Sequence, residues 1–146
     1  MLKLPITYTG FDGKEVTKDF YFNLNKGEIA EINFSIPGGL DGFIDKFNQE
    51  PEVSDVIEVF KRIIIKSYGK RTAEGKYIKS KEISEEFAAS DAYSELFLKF
   101  LDNEDDFVNK FLEGAINAPV ATIHEAINDA NNKVKGSVDE VSTDTI

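Results

Sequence analysis

The sequence predicts a mainly α fold: a single helical domain with an N-terminal β-hairpin packed on the helices. Three observations lead there. The clearest two-residue alternation of apolar and polar residues falls within residues 4–24, around a Gly-rich turn. From residue 25 onward, apolar residues recur mostly every three or four positions. The length, 146 residues, suits one domain, and no internal repeat or linker divides it. The domain is read as 1–136, and 137–146 as a polar tail expected to be flexible.

The hairpin comes first. Leu4–Thr9 is β-branched and aromatic, and Gly10-Phe11-Asp12-Gly13 supplies the turn. The return strand places Val16, Phe20, Phe22 and Leu24 on one face. A two-stranded ribbon is marginal alone, so that face is expected to lie on helices. Asn25-Lys26-Gly27-Glu28 has the form of a capping box, opening a helix with Ile29, Ile32 and Ile36 that Pro37-Gly38-Gly39 ends. Leu40, Phe43, Ile44 and Phe47 mark a short amphipathic helix. The strongest helix is 52–67, with Val53, Val56, Ile57, Phe60, Ile63 and Ile64 on one stripe.

Residues 70–79 read as a loop or small hairpin. Ser80 and Ser90 are placed to cap helices 81–89 and 91–101. An acidic joint, Asp102–Asp106, leads to a helix carrying Phe107, Val108, Phe111, Leu112, Ala115 and Ile116. Pro119 suits the first turn of a last helix, 119–135, where Val120, Ile123, Ile127, Ala130 and Val134 form a seam of two heptads.

Composition excludes much chemistry. Cysteine is absent, which removes disulfides, thiolate metal sites and cysteine nucleophiles. His124 is the only histidine, so a multi-histidine metal site is impossible; it reads as a surface residue. Asp102–Asp106 departs from a calcium loop at its third and sixth positions, Glu104 and Phe107. No phosphate-binding loop is present. The residues therefore point to no enzyme, metal or cofactor. No apolar run is long enough to span a membrane, and the first residues lack a signal-peptide core.

Charge is divided unevenly. The chain carries a net −10, but residues 1–81 sum to +1 and residues 82–146 to −11. Eight bases lie within 61–81 against one acid, Glu74. This stretch, with Tyr68 and Tyr77, is the candidate contact region. Lys66, Tyr68, Lys70, Arg71, Lys76 and Tyr77 are its candidate partner-binding residues, with Val120, Ile123 and Ile127 of the seam beside them. The same bases suit a nucleic-acid-binding protein, the alternative function, since cations and stacking rings grip phosphates and bases. A small regulatory adaptor is a third class. The charge division also allows head-to-tail self-association.

Phe20-Tyr21-Phe22-Asn23-Leu24-Asn25-Lys26, Gly38-Gly39-Leu40, Phe60-Lys61-Arg62-Ile63-Ile64 and Ser67-Tyr68-Gly69-Lys70 together resemble the tail assembly chaperones of long-tailed phages and prophages of Gram-positive bacteria. The likeness continues through Gly75–Ser80, Glu86-Phe87, Ala92–Phe97 and Phe107–Leu112 to Gly114, covering roughly 15–116. The order of these pieces is more specific than any one of them. The resemblance implies a non-enzymatic protein of the host cytoplasm, absent from the finished virion. It implies that the protein binds and solubilises the tape measure protein. A longer frameshifted form would help recruit tail tube subunits. The helix at 119–135 extends beyond the family pattern, and docking on the body is its expected state.

Overall fold

The computed structural model describes residues 1–49, 53–118, 125 and 132. The predicted helix 119–135 and tail 137–146 lie outside the described residues, apart from these last two isolated positions. Two strands open the fold, β1 (Leu2–Thr9) and β2 (Glu15–Phe22), paired antiparallel from Leu2↔Phe22 to Thr9↔Glu15. Gly13, at φ 78°, takes the left-handed conformation the turn requires. Helices α1 (Lys26–Ser35), α2 (Gly39–Gln49) and α3 (Val53–Ser67) follow. Then come β3 (Tyr68–Arg71), β4 (Tyr77–Ile78), α4 (Lys81–Ala88), α5 (Asp91–Asp102), a 3₁₀ turn (Glu104–Asp106) and α6 (Phe107–Ile116).

The fold class needs correction. The hairpin is half of a four-stranded antiparallel sheet ordered β1-β2-β3-β4, so the fold is mixed α/β rather than mainly α with a hairpin. β3 joins β2 through Tyr21↔Gly69 and Phe22↔Tyr68, and β4 joins β3 through Lys70↔Ile78 and Arg71↔Tyr77. Strands of four and two residues are too short to display a two-residue period, and charge masks them further. Of the two readings for residues 70–79, the small hairpin is the one that forms.

The helix starts follow local chemistry. Asn25 accepts the Glu28 amide at 2.8 Å while Glu28 accepts the Asn25 amide at 3.1 Å, a complete capping box. Ser80 and Ser90 accept the amides of Ile83 and Tyr93. The amide of Val108, in the first turn of α6, donates to the Asn103 side chain at 2.9 Å across the acidic joint. Gly39 turns from α1 into α2 at φ 76°, and a Cβ there would stand 2.8 Å from Asn33 Oδ1, the acceptor of the Leu40 amide.

One face of the sheet is covered. Leu2, Leu4, Ile6 and Tyr8 of β1 alternate with exposed Lys3, Pro5, Thr7 and Thr9. Their cross-strand neighbours Phe22, Phe20 and Val16 share that inner face. Helices α5 and α6 pack on β1, and α4 on β3. A continuous train of rings runs through the core. Phe22–Phe111, Phe111–Phe100 and Phe100–Phe60 have centroids 4.8 to 5.0 Å apart in edge-to-face arrangements.

Candidate partner-binding surface

The basic stretch folds as the end of α3, the β3–β4 hairpin and the start of α4. That placement distributes its cations over several elements instead of along one face. Six of the eight bases meet a carboxylate: Arg62 with Glu58, Lys66 with Glu31, Lys70 with Glu86, Lys76 with Glu74, Lys79 with Glu28 and Lys81 with Glu85. Only Glu85 and Glu86 belong to the acidic half of the chain. Among the described residues, Lys61 and Arg71 form no ion pair, and the Arg71 guanidinium lies 6.0 Å from the Tyr21 ring centroid. Five of these pairs are largely exposed and individually worth at most about 1 kcal/mol, so a charged partner can exchange them at little cost.

Lys79 is different. Its ammonium donates to both Glu28 carboxylate oxygens at 2.7 and 2.8 Å, to the Lys66 carbonyl at 2.9 Å and to the Asn23 carbonyl. It binds the end of β2, the start of α1 and the last turn of α3 together.

The two tyrosines of the stretch face inward. Tyr68 is core, 6% exposed, its ring stacked on Phe87 at 4.0 Å. Tyr77 is half-buried and donates its hydroxyl to the Ser67 carbonyl at 2.6 Å. Its ring covers Gly69, where a Cβ would come within 2.5 Å of it. Burial pushes the Tyr68 phenol up, with Glu86 adding to the effect; burial and then Glu28 raise Tyr77, and burial raises Tyr93. In each case the folded pKa lies above the unfolded value of about 10. Their contribution to stability is thus complete below that pH and is lost as pH rises through the folded values. Stability, measured by urea unfolding followed in far-ultraviolet circular dichroism, is expected to hold steady from neutral pH to pH ~10 and then fall steeply. A flat profile to pH ~12 would contradict these shifts.

A cavity of about 870 Å³ lies where β2 and β3 splay apart beyond their two-residue pairing. The consecutive residues Lys18–Tyr21 of β2 and Tyr68–Arg71 of β3 form its walls. Phe87 and the α4–α5 junction close it below, and the hairpin tip with fully exposed Phe11 overhangs it. Sequence reasoning found Tyr68, Lys70 and Arg71 of this groove but missed Lys18, Phe20, Tyr21 and Phe87. A splay between strands leaves no linear pattern, so no signal in the sequence marks them.

The family model described as phage tail assembly chaperone matches residues 1–145. The chain belongs to that family. No curated protein and no solved structure gives a significant match. Membership supports the family resemblance carried by residues 15–116, and the match extends it to nearly the whole chain. Members of this family are generally non-enzymatic. Among the described residues, no group of three His, Asp or Glu side chains is placed to hold a metal ion, and no helix is long and apolar enough to cross a membrane. Of the chaperone's nine sequence-derived contact residues, Val120, Ile123 and Ile127 lie outside the described residues. The other six surround the β3–β4 hairpin, Tyr68 as part of its buried base.

Proposed function

We propose that this chaperone binds the tape measure protein, keeps its apolar helices soluble before the tail tube forms, and helps bring tail tube subunits to it. Family membership over residues 1–145 is the observation that carries the reading. Its physical support is the surface. Phe34, Ile57, Leu98 and Leu101 keep 40–58% of their area exposed on a chain of net charge −10. Apolar side chains give a long helix of varied sequence something to pack on, and the charge keeps the loaded complex in solution. Lys66, Lys70, Arg71, Lys76 and Tyr77 form the polar rim of the capture surface, where exposed ion pairs exchange for the partner's charges; Val120, Ile123 and Ile127 add an apolar stripe. The protein acts in the host cytoplasm, associates with further copies along one tape measure, and is left out of the virion.

The test is a tagged pull-down from phage-producing cells, treated with nuclease and read by mass spectrometry. Recovery of one very long, helix-rich phage protein at moderate salt is expected, and longer peptides sharing this N-terminus would reveal a frameshifted form. Recovery of nucleic acid alone, lost above about 0.3 M salt, would overturn the reading in favour of the basic stretch as a phosphate site.

A further inference from the structure

A phenyl ring held out in water and a groove floored with rings lie side by side on this chain. Phe11 stands at the tip of the β1–β2 hairpin, fully exposed. The tip is well ordered by its own hydrogen bonds. The Gly10 amide donates to the Lys14 carbonyl at 2.8 Å, the Gly13 amide to the Gly10 carbonyl at 3.0 Å and the Lys14 amide to Asp12 Oδ1 at 3.1 Å. β1 and β2 stay paired as far as Thr9↔Glu15, so bending the tip back into its own groove would break the ladder. Burying a ring that is already held in place costs little conformational entropy.

The groove opens where β2 and β3 part after Tyr21↔Gly69. Its floor is a cluster of rings: Tyr68 stacks on Phe87 at 4.0 Å, and Phe20 lies 5.5 Å from Phe87 and 6.0 Å from Tyr8. Such a cluster takes a further ring edge-to-face or offset. At about 870 Å³ the groove is in the range of pockets that enclose a whole small molecule, room enough for a turn and its ring. Charge agrees with this guest. Among the described residues, neither Asp12 on the tip nor Lys18 and Arg71 on the groove wall forms an ion pair. A tip entering the groove carries an acid toward two bases.

We propose that the occupant of this groove is the hairpin tip of a second copy of the chain, in a two-fold dimer. Phe11 of each copy packs against Phe20 over the Tyr68–Phe87 stack of the other, and Asp12 meets Lys18 and Arg71. The position of the tip closes the pair. Gly10 and Phe11 line the groove of their own chain, so a tip that enters a second copy's groove brings its own groove up to that copy's tip. The patch is therefore self-complementary, as an isologous interface requires; a head-to-tail contact would leave one tip and one groove unfilled at the ends. The dimer gives the self-association of the proposed function an interface, yet it stands on this geometry alone, whichever protein the chaperone carries.

Sedimentation equilibrium of the purified full chain, with no tape measure protein present, tests it. A monomer–dimer equilibrium is expected, with dimer dominant at about 0.1 mM, where an interface of micromolar Kd is almost fully occupied. A monomer at that concentration, or growth beyond the dimer, would overturn the proposal. Phe11→Ala is expected to weaken dimerisation at least about thirtyfold, as loss of a central aromatic anchor does. Its thermal unfolding at concentrations where both chains are monomeric should be unchanged, because the ring is already exposed there. Dimerisation that the variant leaves intact would overturn the proposal. Because the chain has no cysteine, Asp12→Cys with Lys18→Cys locates the contact. Glu15 and Lys18 alone stand about 10 Å apart along β2, with residue 12 farther out, and a disulfide spans no more than roughly 7 Å between Cα atoms. The two cysteines can therefore join only separate copies. A disulfide-linked dimer is expected with both cysteines present and with neither alone. A chain that dimerises without linking would overturn the groove as the site.

Discussion

Replacing Phe100 with alanine is expected to destabilise the protein by about 3–5 kcal/mol, a large share of the roughly 5–15 kcal/mol available to a domain of this kind. Phe100 is fully buried, with the rings of Phe60, Phe111 and Phe107 at 5.0, 4.8 and 5.6 Å. Those three rings come from α3 and α6, so Phe100 on α5 joins helices otherwise distant in sequence. Truncation leaves a cavity that rigid aromatic neighbours fill poorly, and the edge-to-face contacts are lost with the buried area. Phe100→Leu keeps most of the volume and should cost less, about 1–1.5 kcal/mol. Leu98, two residues earlier and 52% exposed, is the control: its alanine variant should change stability by no more than about 0.5 kcal/mol. Urea unfolding of the three variants gives the comparison. A Phe100→Ala loss below about 1 kcal/mol would mean that the core does not converge on this ring.

That convergence was partly legible in the sequence. Phe97, Phe100, Phe107 and Phe111 stand at helical spacing, and Phe100 and Phe111 are buried in the core. The helix starts were legible for a similar reason, because a cap is a local device: Asn25 with Glu28, Ser80 and Ser90 each act within four residues. The second half of the sheet was legible only in part: a small hairpin at 70–79 was one of two readings, but its joining to β2 was not. Tyr68–Arg71 is four residues long and follows α3 directly, and its strand character comes from pairing with residues more than forty positions earlier. Tyr68 shows the same limit. Beside Lys66 and Lys70 it reads as a ring on a charged surface, yet its register opposite Phe22 turns it onto Phe87. The groove was beyond reach altogether. It arises from two strands parting company, and its walls draw on residues as far apart as Tyr8 and Ala92.

Lys79→Met should produce the second large effect, a loss of about 2–3 kcal/mol, or roughly 5–10 °C in melting temperature for a chain of this size. The exposed ion pairs of the same basic stretch should give no more than about 1 kcal/mol each. The difference lies in what the ammonium leaves behind. Lys79 and Glu28 keep only 24% and 17% of their side-chain surface, and Lys79 also satisfies the carbonyls of Asn23 and Lys66. Methionine retains the aliphatic stem but strands a carboxylate and two carbonyls in a poorly solvated site. Glu28 has a second duty, since one of its oxygens accepts the Asn25 amide that completes the cap of α1. Losing Lys79 therefore loosens a helix start 51 residues away in sequence. A cycle of Lys79→Met, Glu28→Gln and the double variant separates the two roles. If the ion pair ties the fold together, the coupling should exceed about 1 kcal/mol, because removing both charges costs less than the sum of removing either. The residual loss in the double variant then reports the two stranded carbonyls of Asn23 and Lys66 together with any weakening of the cap. Additive losses would show instead that Glu28 serves α1 alone, and that the close approach of Lys79 adds no stability of its own.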